Sequence, residues 1–526
     1  MKPSVRFWLP SREVREAPVT PSDAQLPLSE WLARHHAPLN TRCGGRGLCR
    51  GCLVEQPGNA VSARACQIKM AQLMAGAPEI RIPEASLYDT TLTGVSAFEI
   101  LAEPPAPLRR AGLGVAVDIG TTTLAGALWD LDTGECLALT SRANPQRIYG
   151  DNVSARTGYA MQEPEGAARL HQRLCDLGLK PLLADLLRKA DRDSQPVEVI
   201  LAGNAIMMHT VAGCALDGFG SFPFRPEFLN SRSLSPAVFG LCPGTAVTLL
   251  PSAGPFVGAD VTAGALAAGM SGIDGTALLI DFGTNGEILL KHQGRYWATA
   301  TAAGPAFEGG RLTCGQTASD CAISGLNIQD GAWTWTLCGG SPEQPPTGLS
   351  GAAYISFLAK ALAEGLITAM GRLDPAHPLA SERTVDGDVL RCVELTPQIF
   401  ITEGDIGELM QAKAAIAAGT VTLLELAGVD ANGIDQLFLA GGFGYYLDHR
   451  DAGTIGLIPP IHPSRVQAIG NSSLAGASLV LLTQNVPALE SATAEWQCIE
   501  LNAQASFEDH YLDALQLGSE CFTGTD

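Results

Sequence analysis

One short pattern occurs twice in this chain and constrains its fold more than any other feature. An apolar strand ends in Asp118-Ile-Gly-Thr-Thr-Thr123, and a second apolar strand follows at once. The pattern returns as Asp281-Phe-Gly-Thr-Asn-Gly286, again between two apolar strands. Each copy predicts a β-hairpin whose turn offers N–H and O–H donors to phosphate oxygens, while the aspartate orients a hydrated cation. Either copy alone could be only a turn, so its meaning depends on the segments that accompany it.

A third segment completes an ordered set. The run Gln436-Leu-Phe-Leu-Ala-Gly-Gly-Phe-Gly444 predicts a strand that enters a glycine turn before a helix. Two Asp-x-Gly-Thr hairpins followed by an Ala-Gly-Gly turn, in this order, resemble the actin, sugar-kinase and heat-shock-chaperone ATPase superfamily. The resemblance implies a duplicated α/β fold of two lobes, each with a central mixed sheet, which close on ATP and Mg²⁺ in a cleft.

The same resemblance implies roles for individual residues. Asp118 and Asp281 would organise hydrated Mg²⁺. Glu308 would polarise the attacking water or face a partner protein, unless it only caps a loop. The residues expected at the phosphates are Gly120, Thr121, Thr122, Thr123, Gly283, Thr284 and Asn285. Those expected beside adenosine are Gly441, Gly442 and Gly444.

Four cysteines crowd together near the start of the chain. Cys43, Cys49, Cys52 and Cys66 are separated by five, two and thirteen residues. Four converging thiolates hold an iron–sulfur cluster, and the glycines among them let the backbone wrap closely around it. The spacing favours a [2Fe–2S] cluster, because zinc knuckles use shorter gaps between their cysteines. A zinc site and the absence of any metal remain the alternatives.

The segments around these cysteines predict a small fold. Val5, Phe7 and Leu9 alternate as in a strand, and a helix containing Trp31 is expected to start near Ser22-Asp23. Short strands are predicted after the cysteine loop, at 53–54 and 80–82. This order is that of a β-grasp ferredoxin. We therefore expect a ferredoxin-like domain over 1–87, a proline-rich linker over 88–113, either a tether or a packed connector, and the ATPase domain over 114–526.

Composition excludes some classes of protein. The net charge is −20, which argues against a general nucleic-acid binder. No secretory signal is recognisable at the start, and no uncharged apolar run reaches membrane-spanning length. We therefore expect a cytoplasmic protein with reduced thiols that binds neither membranes nor nucleic acid.

Finer matches point to one family. They include Gly203-Asn-Ala-Ile-Met-Met-His209, Ala302-Ala-Gly-Pro-Ala-Phe-Glu-Gly309 and Thr402-Glu-Gly-Asp-Ile406. With the cysteine module in front, almost the whole chain resembles the reductive activators of corrinoid proteins. The resemblance implies ATP-dependent transfer of one electron from the cluster to Co(II) of a corrinoid protein, which regenerates Co(I) for methyl transfer. It also implies an external low-potential electron donor and allows a homodimer.

Two other functions remain open. Activators of radical dehydratases or reductases also couple this ATPase fold to low-potential electrons, but they hold a [4Fe–4S] cluster between subunits and lack a front ferredoxin. A non-catalytic sensor of redox and nucleotide state is the other alternative. His209 is expected to be a core histidine rather than a partner contact, and Cys314 and Cys321 are expected to be buried.

Overall fold

The chain forms a small amino-terminal domain followed by two larger lobes. We describe it from a computed structural model. The described residues are 4–9, 13–35, 37, 39, 52–56, 62–73, 79–83, 86, 98, 108–150, 152–283, 285–310, 312–339, 344–385 and 388–523.

The amino-terminal domain is built on a three-stranded sheet in the order β2-β1-β5, with β1 antiparallel to β2 and parallel to β5. Its elements are β1 (Ser4–Trp8), β2 (Val14–Pro18), α1 (Leu28–Arg34), β3 (Leu53–Val54), β4 (Ala63–Arg64), α2 (Met70–Leu73) and β5 (Glu79–Arg81). The predicted alternation places Val5 and Phe7 in the core, against Trp31. The predicted helix start was wrong: Asp23 accepts hydrogen bonds from Thr20 in a separate 3₁₀ turn.

The first lobe carries a six-stranded mixed sheet in the order β10-β11-β9-β6-β7-β8. Its strands are β6 (Leu113–Ile119), β7 (Thr123–Asp130), β8 (Glu135–Ala143), β9 (Glu198–Gly203), β10 (Arg232–Leu234) and β11 (Ala246–Leu249). Its helices are α3 (Val153–Gln162), α4 (Gly166–Arg173), α5 (Lys180–Lys189), α6 (Ala205–Ala212) and α7 (Ala259–Ala267). Strand β6 begins at Leu113, one residue before the predicted start of the domain.

The second lobe repeats this plan, with the sheet order β22-β21-β12-β13-β14-β23. Its strands are β12 (Ala277–Phe282), β13 (Gly286–His292), β14 (Arg295–Thr301), β15 (Ala322–Gln329), β16 (Ala332–Leu337), β17 (Gly348–Leu349), β18 (Ser381–Val385), β19 (Asp388–Glu394), β20 (Phe400–Thr402), β21 (Gln436–Ala440), β22 (Val466–Gly470) and β23 (Gln497–Cys498). Its helices are α8 (Gly351–Ala363), α9 (Glu403–Ala427), α10 (Gly441–Tyr446), α11 (His449–Thr454), α12 (Ser472–Thr483), α13 (Val486–Thr493), α14 (Phe507–Ala514) and α15 (Glu520–Thr523).

In both lobes an antiparallel meander, β6-β7-β8 or β12-β13-β14, pairs through its first strand with a parallel neighbour, β9 or β21. The duplicated two-lobed fold predicted from the hairpins is therefore confirmed. Helix α9 is the one helix of the described chain that is long and apolar enough to cross a bilayer. However, 78% of its most apolar window is buried inside the second lobe, as in a core helix.

Helices α7 and α12 join the lobes. Helix α7 packs against β9 of the first lobe and β13 of the second, while α12 follows β22 in the chain but packs against β6 and β9. The two helices touch backbone to backbone, because a Cβ atom on Gly476 would lie 1.9 Å from the carbonyl oxygen of Ala263. The junction therefore requires a residue without a side chain.

The described part of the predicted linker contacts the first lobe and helix α12. The Phe98 ring lies 6.5 Å from that of Trp129, and the Leu108 N–H donates to the Leu482 carbonyl at 3.0 Å. These residues belong to a packed connector rather than to a free tether.

We expect Gly476→Ala to destabilise the protein by about 1–3 kcal/mol, because the methyl group would overpack the contact between α7 and α12. Gly407→Ala is the matched control, since a Cβ atom at this position in α9 meets nothing within 4 Å. The thermal unfolding midpoint should fall for the first variant and stay level or rise for the second. Equal midpoints would contradict the close helix contact.

Candidate functional site

A cleft with an empty volume of about 1210 Å³ lies where the two hairpin turns and the glycine turn meet. Most of the residues predicted from the sequence line it. They are Asp118, Gly120, Thr121, Thr122, Thr123, Asp281, Gly283, Asn285, Glu308, Gly441 and Gly442. Thr284 lies outside the described residues. Gly444 is not on the cleft wall, because it is buried within α10 against Leu439.

Carboxyl groups concentrate at the floor of this cleft. Asp118 and Asp281 are joined there by Asp260, in the first turn of α7, and by Glu287 of β13. Asp281 and Glu287 stand directly opposite each other in the β12–β13 pair. Like charges facing each other across a strand pair repel, so this floor favours either bound protons or a cation.

The pKa values of these groups reflect their burial. Burial, followed by the charges of Asp260 and Asp118, raises the pKa of Asp281 to about 8. Burial also raises the pKa of Asp260 to about 7 and holds that of Glu287 well above its ordinary value. Burial, together with the neighbouring carboxylates, therefore favours protons on these groups near neutral pH when no cation is bound.

Asp118 is held differently from the other carboxyl groups. Burial raises its pKa, but the Asn471 amide donates to it at 2.9 Å and the Ser473 hydroxyl at 2.8 Å, and both bonds lower the pKa. These two donors come from the start of α12. They fix the orientation of the carboxylate that the sequence predicted as a cation organiser.

The donor set suits a hydrated Mg²⁺ ion, since it consists of carboxylate, amide and hydroxyl oxygens. Within the described residues, no three carboxyl, histidine or cysteine groups converge into a ready-made metal cage. This also suits Mg²⁺, which usually keeps several waters and binds through one or two carboxylates together with phosphate oxygens.

The turn of the first hairpin is held by buried side chains. The Asn144 amide donates to the Gly120 carbonyl at 2.9 Å, and the Arg156 guanidinium donates to the Thr121 carbonyl at 2.6 Å. The Asn204 amide donates to the Thr121 hydroxyl at 3.0 Å. Asn204 stood out in the sequence only as part of a family match, and the structure shows what it does.

One hydrogen bond crosses the cleft. The Thr122 hydroxyl of the first lobe donates to Glu308 of the second lobe at 3.2 Å. Glu308 also contributes to the raised pKa of Asp281. Glu308 therefore interacts with a residue of each predicted hairpin, and its hydrogen bond to Thr122 depends on the separation of the lobes.

The two lobes use the same glycine at equivalent places. Gly203 ends β9 with φ of 154°, and Gly441 follows β21 with φ of 85°. A Cβ atom at Gly203 would lie 2.6 Å from the Ile119 carbonyl oxygen, and one at Gly441 would lie 2.7 Å from that of Phe282. In each lobe this carbonyl group belongs to the residue that follows the aspartate of the hairpin. The duplication thus extends to individual backbone contacts.

An aromatic wall borders the glycine turn on the second lobe. The rings of Phe282, Phe307 and Phe443 lie 4.9 to 5.7 Å apart, and all three residues line the cleft with Tyr446. An apolar wall beside a polar floor suits a ligand with a planar base at one end and phosphates at the other.

Sequence reasoning missed four residues of the floor, namely Asp260, Glu287, Asn471 and Ser473. Asn471 caps α12, and an asparagine before an apolar run is a readable helix start. Nothing local marks Ser473 or Glu287 as cleft residues, because their role depends on which strand and helix they meet.

Two of the four predicted cluster cysteines can be placed. Cys52 and Cys66 are both buried in the core of the small domain, and the Ala65 N–H donates to the Cys52 carbonyl at 2.9 Å. Their backbones are therefore adjacent, as a shared metal centre needs. Cys43 and Cys49 lie outside the described residues.

The structure also tests the burial predicted for three other residues, one histidine and two cysteines. His209 is buried, its Nδ1 lies 2.7 Å from the Ala205 carbonyl, and its ring stacks on Phe228, so it is a core histidine as predicted. Cys314 and Cys321 are only partly buried, which corrects the expectation of full burial.

Two lobes of this topology around such a cleft define a protein of the actin and sugar-kinase fold class, abbreviated ASKHA. Family models support this class. The model of the RACo middle region matches residues 113–272, which form the first lobe. The model of the C-terminal domain of RACo, the ASKHA domain, matches residues 275–523 in the second lobe.

Three proteins show which member of the class this is. The chain is 31% identical to corrinoid activation enzyme RamQ of Eubacterium limosum, over 76% of this chain and 69% of RamQ. It is 26% identical to the [Co(II) methylated amine-specific corrinoid protein] reductase of Methanosarcina barkeri, over 71% and 70% of the two chains. A solved reductive activator for corrinoid, iron-sulfur protein superposes with a TM-score of 0.71 at 25% identity, over 99% of each chain. The chain belongs to the RACo family of reductive corrinoid activators.

Without nucleotide or divalent cations, we expect the protein to lose stability as the pH rises. In the folded chain the pKa of Asp281 lies at about 8, above its ordinary value of 3.8. Its stabilising contribution is complete below the lower value and is lost as the pH rises through the higher one, because the folded state alone retains the proton. The thermal midpoint should fall from about pH 6 to about pH 8, and it should fall less for Asp281→Asn. Parallel curves would contradict the raised pKa.

Proposed function

We propose that this protein passes one electron from a [2Fe–2S] cluster to Co(II) of a corrinoid protein and couples the transfer to ATP. Family membership supports reductive activation of a corrinoid protein. The observation that supports ATP dependence is the cleft in which both Asp-x-Gly-Thr turns, five acidic side chains and the glycine turn converge. The product, Co(I) corrinoid, would serve methyl transfer.

On the nucleotide side, each part of the cleft has a role. Asp118 and Asp281 would orient the waters of Mg²⁺, which supplies positive charge against the phosphates. The turns at 120–123 and 283–285 would donate N–H and O–H groups to phosphate oxygens. Gly441 and Gly442 leave room for adenosine beside the aromatic wall. Glu308 would orient a water, or would report on closure through its hydrogen bond with Thr122.

On the electron side, Cys43, Cys49, Cys52 and Cys66 would supply the thiolates. Cys52 and Cys66 fit this role because they are neighbours in one apolar core, where low solvent exposure influences the potential of a cluster. An external low-potential donor must reload the cluster after each transfer.

ATP is needed because the electron moves uphill. Plant-type [2Fe–2S] centres have reduction potentials of about −400 mV. If the reduction potential of Co(II) is lower than that of the cluster by roughly 100–200 mV, the transfer of one electron costs roughly 2.5–5 kcal/mol of free energy. Nucleotide binding can supply this if the closed lobes bind the Co(II) partner more tightly than the open lobes do, since a ligand shifts an equilibrium only by its differential affinity.

The other functions are less well supported. An activator of a radical dehydratase or reductase would not be expected to match both RACo family models or to carry the front cysteine module. A sensor without turnover would bind nucleotide but leave Co(II) unreduced. We place the reaction in the reducing cytoplasm, and a homodimer is compatible with the proposal.

We expect the reconstituted full chain, supplied with a low-potential reductant, Mg·ATP and a Co(II) corrinoid protein, to produce the Co(I) absorption band. Omission of ATP should abolish or greatly slow the reaction. Reduction that ignores ATP would contradict the coupling, and a [4Fe–4S] signal in paramagnetic spectra would favour the dehydratase-type activator.

Two variants should separate the halves of the reaction. Cys49→Ser should abolish electron transfer but keep Mg·ATP binding, whereas Asp281→Ala should keep the reducible cluster but lose Mg·ATP-dependent Co(I) formation. Cys242→Ser and Asp274→Ala are the matched controls, because both side chains are exposed and lie outside these sites. Identical defects in the first two variants would argue against separate redox and nucleotide sites.

A further inference from the structure

We propose that an ion pair between Glu30 and Arg173 docks the cysteine-bearing domain on the first lobe and makes that docking depend on the nucleotide in the cleft. The inference rests on the proposed function and adds its regulation. Glu30 and Arg173 are positioning residues in it, since neither contacts the cleft.

The pair is built as an interdomain contact. The Arg173 guanidinium of α4 donates to Glu30 of α1 at 3.2 Å, with side-chain exposures of 8% and 14%. Its Nε donates to the Pro145 carbonyl at 2.8 Å, and the guanidinium carbon lies 5.8 Å from the centre of the Tyr149 ring. Breaking a largely buried pair by removing one partner costs more than breaking an exposed one, because it leaves a desolvated charge.

The pair can nevertheless open without leaving Glu30 unpaired. The same oxygen of Glu30 also accepts a hydrogen bond from Arg34, one helical turn further on, at 3.1 Å. Arg173 in turn keeps its bond to the Pro145 carbonyl. Both domains therefore retain a partner for their charge when they separate, as a reversible contact requires.

On the redox side, the contact lies next to a predicted cluster ligand. Helix α1 packs against the 3₁₀ turn Ala65–Gln67, which carries Cys66, and the Leu28 N–H donates to the Ile68 carbonyl at 2.8 Å. A change in the position of α1 is thus a change in the position of the Cys66 turn.

On the nucleotide side, the contact leads directly to the first phosphate turn. Pro145, which holds Arg173, follows Asn144 in the chain. The Asn144 amide donates to the Gly120 carbonyl at 2.9 Å, and its N–H donates to the Thr122 carbonyl at 2.8 Å. A nucleotide that orders this turn orders Asn144, and with it the carbonyl that positions Arg173.

Such coupling must act in both directions. If nucleotide favours the docked domain, the docked domain raises nucleotide affinity by the same factor. Contiguous contacts alone do not establish coupling, so the test has to measure it. It also has to separate Glu30 from the ordinary ion pairs of its own domain.

The test uses the full reconstituted chain and a non-hydrolysable ATP analogue with Mg²⁺. We expect Glu30→Gln to weaken analogue binding by about fivefold or more, a typical allosteric factor, although Glu30 is outside the cleft. The analogue should slow hydrogen exchange of the peptide covering 28–34 in the wild type but not in this variant. Arg34→Gln is the control, because it removes only pairs inside the amino-terminal domain, those with Glu30 and Asp23.

Arg173→Gln provides a second variant in the other domain, so misfolding of one domain cannot explain both results. In a double-mutant cycle the Glu30→Gln, Arg173→Gln chain should lose little more affinity than either single variant. Unchanged affinity in Glu30→Gln, or exchange at 28–34 that ignores the analogue, would overturn the inference while leaving ATP-dependent Co(I) formation intact. A wild-type chain that bound no nucleotide would overturn both.

Discussion

The cleft depends on one constraint, the burial of several carboxyl groups close together. Asp281 and Glu287 face each other across one strand pair, with Asp118 and Asp260 beside them at the floor of the cleft. Two lobes can close over such a floor only if something offsets its charge, either protons or a cation bound with an anionic ligand. The apolar cores make each lobe rigid. The carboxyl groups of the floor determine which ions or ligands the closed cleft can hold.

Duplication explains how one chain builds such a floor. The hairpins share their backbone geometry, and Gly203 and Gly441 approach equivalent carbonyl groups. The side chains, however, have diverged: the register position of Glu287 opposite Asp281 corresponds to Ala125 opposite Asp118. The first lobe therefore contributes two carboxyl groups, Asp118 and Asp260, and the hydroxyl groups of its turn. The second lobe contributes further carboxyl groups and the aromatic wall. The two lobes therefore share a backbone arrangement and differ in the side chains that it carries.

The sequence allowed the fold and most of the cleft to be predicted, because the Asp-x-Gly-Thr turns and the glycine turn are local patterns with a known order. It did not reveal that Asn471 and Ser473 hold Asp118, since more than 350 residues separate them in the chain. The resemblance implied Gly444 beside adenosine, but Gly444 is buried against Leu439 and does not line the cleft, because a motif does not tell which of its glycines faces the cavity. The Ser22-Asp23 signal was real but capped a 3₁₀ turn, so local propensity predicted a boundary and not the element beyond it.

The close contact of α7 and α12 has a geometrical consequence for how the two halves move. Helices in backbone contact at Gly476 cannot swing apart there without opening a void, so the junction acts as a pivot. In a rotation about this junction, the displacement of a residue would grow with its distance from the junction. Asp260 in the first turn of α7 and the Asp118 donors at the start of α12 lie close to this junction, so a rotation about it would change their spacing little. The hydrogen bond between Thr122 and Glu308 joins the two lobes across the cleft, so the same rotation would lengthen it.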